Sequence, residues 1–540
     1  MTLHTRSTRR VLHDILPMCL LGFIGVLLAG CTSTDVAKDK PNILIIYTDD
    51  IGFADVSAYG GPISTPNIDV LARSGRRFTR SHAAAATCTP SRYALLTGKY
   101  PVRNTRAEIL PGDAPLLIEP GSYTMPEHFA SAGYSTAVIG KWHLGLGEGD
   151  VNWNGSIRPG PLEIGFTKSF LLPATNDRVP CVYLDGHTVV GRDDADPITV
   201  SYAGKVGDWP TGTENPEMLR YPGDPEHSGT IVNGISRIGW QHGGEAALWV
   251  DEEMTDVFTE RAIAHIESRE AADEPWFLFF SLHQPHVPRL PNQRFIGTSG
   301  HGLRGDAIVE ADWSVGQLMD AINRLGISED TIVVLSSDNG PVMDDGYADG
   351  ALQNRGTHDP SGPYRGGKYT LWEGDTRVPF IMSWPGRVQT GVSDELFGQV
   401  DLMASLAALA GVPLNDTQLA DLDTVDVSGT LTGGATTAER SHLVTQGVAG
   451  LAIQDDRWKY IPASDARRNF GRHWTVLKHI EPNNPLKSPA VNQQAYLFDL
   501  QADPGETSNV IAEHPEIAQR LDRALVDLLG DTPMPGRRGR

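Results

Sequence analysis

Two oxygen-rich pairs, Asp49-Asp50 and Asp338-Asn339, each stand directly after a continuous apolar run. Carboxylate and amide oxygens without His or Cys suit a hard cation, Ca²⁺ or Mg²⁺, rather than Zn²⁺. Either pair alone could equally cap a helix or turn; the repeated strand-then-pair arrangement argues for a shared metal site. Lys141 and His143 flank Trp142 inside Gly140 to Gly145. In an extended segment such alternate residues point to one side, so a fixed cation and an acid–base group would arrive together. His283 and His286 follow another apolar run, and Lys368 lies in the glycine-rich stretch Arg365-Gly366-Gly367-Lys368. Cys88 opens Cys88-Thr89-Pro90-Ser91-Arg92. It is either a nucleophile in the making or an inert buried thiol at a helix start. A metal, fixed cations, a nucleophile and titratable histidines are what in-line displacement at an anionic ester requires.

These residues need a scaffold that gathers them. Asn42 to Tyr47, Ser135 to Ile139, Trp276 to Leu282 and Thr331 to Leu335 are apolar runs typical of strands buried on both faces. Each leads straight into the polar residues named above. Ligands of open α/β sheets bind beyond the carboxyl ends of strands, so the pattern predicts an α/β fold with its site at one sheet edge. Helices are expected at Asn67 to Ser74, behind Thr65-Pro66, and at Asp251 to Ser268. After the helix-like Gln399 to Gly411, residues 412–440 turn rich in Thr, Asp and Gly and read as a linker. Strands at His442–Gln446, Gly450–Gln454, Trp458–Ile461 and Tyr496–Leu500, with a helix at about 513–529, predict a smaller C-terminal α+β domain over 441–530. Residues 531–540 read as a tail.

With 540 residues, 40% hydrophobic, the chain can bury a large core plus a smaller domain. A formal charge of −22 excludes nucleic acid as a non-specific partner, and any anionic substrate must meet a local cationic pocket. Arg6, Arg9 and Arg10 precede the apolar stretch Ile15 to Ala29, which is short for a membrane span and reads as an export signal over 1–30. A twin-arginine reading of Arg9-Arg10 fits its surroundings poorly. Of the four cysteines, Cys19 and Cys31 belong to this leader region, so Cys88 and Cys181 carry no disulfide framework.

Cys88-Thr89-Pro90-Ser91-Arg92, followed by Leu96-Thr97-Gly98, closely resembles the modification signature of type I sulfatases. The resemblance covers most of 41–411. It implies the alkaline-phosphatase-like fold, with a large mixed sheet flanked by helices, and a cysteine oxidised by a maturase to formylglycine, whose hydrate is the nucleophile. It further implies one calcium ion on Asp49, Asp50, Asp338, Asn339 and position 88, with Arg92 holding the nucleophile. Lys141 and Lys368 would bind sulfate, His286 would protonate the leaving alcohol, and His143 would take the proton from the second hydroxyl. His283, Thr175, Asn176 and Arg178 are implied around the substrate. The segment 150–250 is the expected source of selectivity. Leu497-Phe498-Asp499-Leu500 with Asp503-Pro504-Gly505-Glu506 resembles the family's C-terminal signature and implies a structural role. Leu28-Ala29-Gly30-Cys31 resembles a lipobox, implying lipidation at Cys31, residues 31–40 as a tether, and an outer-membrane location. The expected activity is hydrolysis of sulfate esters on a sulfated polysaccharide or its oligosaccharides. A phosphodiesterase or phosphonate hydrolase of the same superfamily, and an inactive glycan-binding lipoprotein, are the competing readings.

Overall fold

The computed structural model describes residues 40–434, 440–448, 450–463 and 494–533. The leader, Cys31, most of the tether and residues 534–540 lie outside the described residues. Ten strands form the main sheet: β1 Asn42–Thr48, β2 Arg76–Phe78, β3 Ser135–Lys141, β4 Lys168–Leu172, β5 Leu184–Asp185, β6 Thr188–Val189, β7 Trp276–Ser281, β8 Thr331–Ser337, β9 Phe380–Ser383 and β10 Gly391–Ser393. Their spatial order is β10-β2-β9-β8-β1-β7-β3-β4-β5-β6. The central run β8-β1-β7-β3-β4 is parallel throughout. The flanking pairs β8–β9, β9–β2, β4–β5 and β5–β6 are antiparallel.

The apolar runs are continuous because both faces of the central strands are covered. Along β1, Ile43, Ile45 and Tyr47 join a core closed by the helices Cys88–Thr97, Met125–Ser131 and Leu402–Leu409. Leu44 and Ile46 join the opposite core under Pro66–Ser74, Met254–Glu270 and Gly302–Leu325. Alternation along a strand sends successive side chains to opposite faces, so each face receives half the run.

The smaller sheet is an antiparallel meander, β11 Leu443–Gly447, β12 Gly450–Gln454, β13 Trp458–Ile461 and β14 Tyr496–Asp499. The amphipathic helix Pro515–Leu529 buries Ala518, Leu521, Leu525 and Leu529 against it. The expected linker is partly helical, at Asp416–Ala420 and Ser428–Thr432. Its Asn415 side chain caps the first of these helices, which composition alone did not indicate.

The smaller sheet reaches the site directly. The β11 residue Gln446 exchanges backbone hydrogen bonds with Ala84 and Ala86, on the approach to Cys88. Buried Lys459 of β13 lies 3.1 Å from Glu373 and 3.0 Å from Glu506. The Glu506 carboxylate also accepts from the Glu373 amide at 2.6 Å, and its carbonyl accepts from Arg365 at 3.1 Å. The Asp503-to-Glu506 motif thus buttresses the loop that carries Lys368.

Candidate active site

Five parallel strands end at one edge and deliver the site. Residues 49–50 follow β1, Lys141 and His143 leave β3, residues 175–178 follow β4, His286 follows β7, and residues 338–339 follow β8. Because β8 lies beside β1, the Asp338 amide donates to the Thr48 carbonyl at 3.1 Å, which sets the two acidic pairs side by side. Asp50 adopts φ 64°, turning the chain sharply after Asp49. Gly140 has φ 112°, and a Cβ there would stand 1.9 Å from the Ser281 carbonyl oxygen. Only glycine lets β3 run this close to β7 before Lys141.

Ligand atoms of Asp49, Asp50, Cys88 and Asp338 all lie within 4.8 Å of one another, and all four residues are buried. Asn339 donates its amide nitrogen to Asp50 Oδ1 at 2.6 Å, and its Oδ1 is buried without a partner. Burial, together with Asp338, pushes Asp49 up to about 8 despite Lys141. This is the mark of a carboxylate cluster short of positive charge. Hard oxygens, one of them orphaned, fit a calcium-type ion held by Asp49, Asp50, Asp338 and Asn339.

Three buried cations surround the acids. Arg92 donates from Nε and Nη2 to Asp338 Oδ2 at 3.0 and 2.9 Å and from Nη1 to the Lys141 carbonyl at 3.2 Å. Lys141 is paired with Asp49. Lys368 lies 2.9 Å from Asp50 and 3.0 Å from Asp345. Cys88 begins its helix with Sγ 3.6 Å from Asp49 Oδ1. Burial pushes its thiol well up despite Lys141 and Lys368, so unmodified Cys88 stays protonated and is a poor nucleophile. Cys88 and Cys181 are both free.

A ring nitrogen of His286 falls within 4.8 Å of both Cys88 Sγ and an Asp49 oxygen. Its Nδ1 lies 2.7 Å from the Val287 carbonyl, which assigns the proton to Nδ1 and leaves Nε2 bare. Burial, then Lys368 and Lys141, holds it well below the ordinary histidine range. His143 has Nε2 3.0 Å from the Leu110 carbonyl and a buried Nδ1 without a partner. Burial and Lys141 keep it neutral too.

The candidates after β4 divide. Arg178 spans Thr175 Oγ1 at 2.6 Å and the Asp177 carboxylate at 2.7 and 2.8 Å. It lowers the pKa of both His143 and His286, so its charge overlooks the site. Asn176 turns away and donates to the Pro288 carbonyl at 3.0 Å. His283 is not brought to the carboxylate cluster: its ring meets Phe258 edge-on at 6.0 Å, and burial pushes it down to about 3. Three residues after His283 the chain has turned, and only His286 faces Cys88.

Sequence reasoning missed Asp345, which holds Lys368 and accepts from Tyr369 at 2.7 Å. Asp344 and Asp345 stand side by side in the sequence, but the loop has no periodicity that would aim either at the site. It also left unresolved which residues of 150–250 matter. Trp153 and Trp249 are core. His187 pairs with Glu163, and His242 with Asp208. His227 is the histidine that bears on the site: it lies 2.8 Å from Asp224 and 3.4 Å from Asp177, the carboxylate that positions Arg178.

A mixed α/β sheet presenting a hard-metal carboxylate cluster, a nucleophile position on a helix N-terminus and buried lysines defines a hydrolase of the alkaline phosphatase superfamily. The sulfatase family profile matches residues 41–412. An N-acetylgalactosamine-6-O-sulfatase of Bacteroides thetaiotaomicron is 45% identical over 92% of this chain and 96% of its own. Human arylsulfatase A is 32% identical over 92% of this chain and 89% of its own. A solved B. thetaiotaomicron sulfatase structure, described within the metabolism of multiple glycosaminoglycans, superposes with a TM-score of 0.84. It is 44% identical and covers 91% of this chain and 99% of that one. The chain belongs to the sulfatase family and is a type I sulfatase, an enzyme that hydrolyses sulfate esters.

Proposed function

We propose that this sulfatase removes the 6-O-sulfate of N-acetylgalactosamine at the ends of sulfated glycosaminoglycan chains or their oligosaccharides, using formylglycine derived from Cys88 and one calcium ion. The observation that carries the reading is the buried group of Asp49, Asp50, Asp338 and Cys88 ringed by Arg92, Lys141 and Lys368. The N-acetylgalactosamine-6-O-sulfatase relative, aligned over nearly the whole of both chains, supports the sugar and the position.

Four carboxylates, Asp49, Asp50, Asp338 and Asp345, face three cations, Arg92, Lys141 and Lys368, one charge short. A divalent ion therefore leaves a positive excess that draws an anionic ester into a chain of formal charge −22. When bound, the calcium ion supplies Lewis acidity toward the ester and position 88. The aldehyde hydrate supplies a nucleophile with a second hydroxyl, so sulfate can depart without a separate attack by water on the enzyme. The residues of the chain do the rest. Lys141 and Lys368 stabilise the sulfate oxygens, and Arg92 fixes Asp338 and the floor of the site. His286 Nε2, bare at rest, takes up the proton that the attacking hydroxyl gives up and passes it to the leaving alcohol. His143, with its free Nδ1, takes the proton of the second hydroxyl. Arg178, partly exposed and held by Asp177, meets the sugar, while Asp345 keeps Lys368 in place. Cys88, Lys141, Lys368 and His286 are each at most 4% exposed, so the site accepts a chain end rather than a strand lying across it.

The lipobox at Cys31 supports export and lipid anchoring at the outer membrane after action by a maturase at Cys88. Purified enzyme should release sulfate fastest from 6-O-sulfated N-acetylgalactosamine oligosaccharides in a panel of defined 2-O, 4-O and 6-O isomers, read by ion chromatography. A preference for the 4-O isomer, or equal rates on all, overturns the assignment. A Cys31→Ala form that still fractionates wholly with membranes overturns the anchor.

A further inference from the structure

Sulfate and phosphate monoesters share a tetrahedral shape and nearly the same size, so a pocket cannot separate them by fit. Charge separates them: a sulfate ester carries a single negative charge, whereas a phosphate monoester carries about 1.5 to 2 near pH 7. Asp345 is a negative charge at the reacting centre that the binding of anions does not by itself explain.

The residue is 5% exposed, and one of its oxygens lies within 4.8 Å of both an Asp50 oxygen and a ring nitrogen of His286. Both carboxylate oxygens accept hydrogen bonds, Oδ2 from Lys368 at 3.0 Å and Oδ1 from the Tyr369 hydroxyl at 2.7 Å. The Lys368 ammonium is thereby bracketed by two acids, since it also donates to Asp50 at 2.9 Å.

Holding Lys368 does not call for a second carboxylate. Asp50 already fixes the ammonium. The Lys368 amide donates to the Pro341 carbonyl at 2.9 Å, and the Tyr369 amide donates to the Ala86 carbonyl at 2.9 Å, so the backbone of the loop is pinned as well. A neutral carbonyl at position 345 could still accept from Lys368 or Tyr369. What only the carboxylate adds is charge, and it is Asp345 that leaves Arg92, Lys141 and Lys368 outnumbered by acids.

That charge weakens the hold on any anion at the site. The interaction scales with the product of the charges, so a doubly charged ester is repelled about twice as strongly as a singly charged one. The contribution of Asp345 to this difference is the same whatever ion the neighbouring carboxylates hold. Repulsion aimed at the unwanted ligand is a general way of separating two ligands of one shape.

We infer that Asp345 is a specificity-determining residue: its charge admits the singly charged sulfate ester and turns away phosphate monoesters, which the two lysines and the arginine would otherwise attract. The inference rests on sulfate-ester hydrolysis and not on the identity of the sugar or of the metal, and aryl esters test it without either.

The experiment compares three esters of one phenol at about pH 8, where the phosphate monoester is doubly charged: the sulfate, the phosphate monoester, and the methyl phosphate diester, which is singly charged like the sulfate. In Asp345→Asn, kcat/KM for the monoester relative to the sulfate should rise about tenfold or more, while the diester-to-sulfate ratio holds. Tyr369→Phe removes a hydrogen bond to Asp345 but keeps its charge, so its monoester-to-sulfate ratio should stay at the wild-type value. Calorimetric binding of the uncleaved esters to Cys88→Ala, with and without Asp345→Asn, reads the same ratio where turnover is lost. An unchanged monoester-to-sulfate ratio in Asp345→Asn, by kinetics or by binding, overturns the inference. So does an equal rise for monoester and diester, because charge is then not what is read. A Tyr369→Phe enzyme that matches Asp345→Asn overturns it too, by assigning the effect to geometry.

Discussion

Replacing Lys459 with methionine tests whether the C-terminal sheet builds the active site or only accompanies it. Lys459 is 1% exposed and sits between Glu373 and Glu506, at 3.1 and 3.0 Å. Methionine keeps the length and apolar stem of lysine but removes the charge, leaving two buried carboxylates facing each other. Arg377, 3.1 Å from Glu373 Oε2, compensates one of them. Glu506 has no second cation of that kind and, already raised to about 7 by burial, would take up a proton. Breaking a buried pair from one side typically costs about 3–5 kcal/mol. Glu506 loses its charge while holding the Glu373 amide at 2.6 Å, so the 365–374 loop and Lys368 should loosen together. Denaturant unfolding should report the stability loss, and kinetics on an aryl sulfate should show a lowered kcat. Adding Glu506→Gln should recover a substantial part of the stability, because the stranded carboxyl is then gone. A Lys459→Met enzyme within about 1 kcal/mol of wild type, with unchanged kcat, would refute the reasoning.

Mass spectrometry of the peptide spanning residues 81–92 should find an aldehyde at position 88 in active enzyme; full activity from protein carrying the intact thiol would sink the proposed nucleophile. Chelation should lower activity, with Ca²⁺ restoring it better than Zn²⁺. Asp338→Ala should lose most activity while staying folded, and two zinc ions per active chain in metal analysis would contradict the site. His227 gives a pH signature. Burial alone would lower its pKa, but Asp177 and Asp224 raise it to about 9, above the 6.5 of an unfolded histidine. Its contribution to stability is therefore full below pH 6.5 and is lost as the pH rises toward 9. Thermal melts of wild type should fall over that window, and His227→Gln should flatten the decline; parallel curves would show that His227 is not the group responsible.

The buried strands, the α/β class and the acidic pairs were legible in the sequence because they are local. A strand covered on both faces must be apolar throughout, and the residues that follow it must lie at the sheet edge. The meander over 443–499 was legible from strand and turn composition. The short edge strands β2, β5, β6, β9 and β10 were not, since two to four residues carry too little pattern to stand out. The residues proposed to do the chemistry, Cys88, Lys141, His143, His286 and Lys368, stood out through motifs that resemble those of the family. What only the tertiary structure decided is which of them meet. Strand order puts Asp338 beside Asp49, although 289 residues separate them in number. The turn after β7 sends His286 to the nucleophile and packs His283 against Phe258. Packing of the 343–350 loop against the 223–227 segment brings Asp345 to Lys368 and seats His227 beside Asp177. Local sequence sets what a side chain can do. Long-range packing sets what it faces, and among buried charges that partner determines both protonation and role.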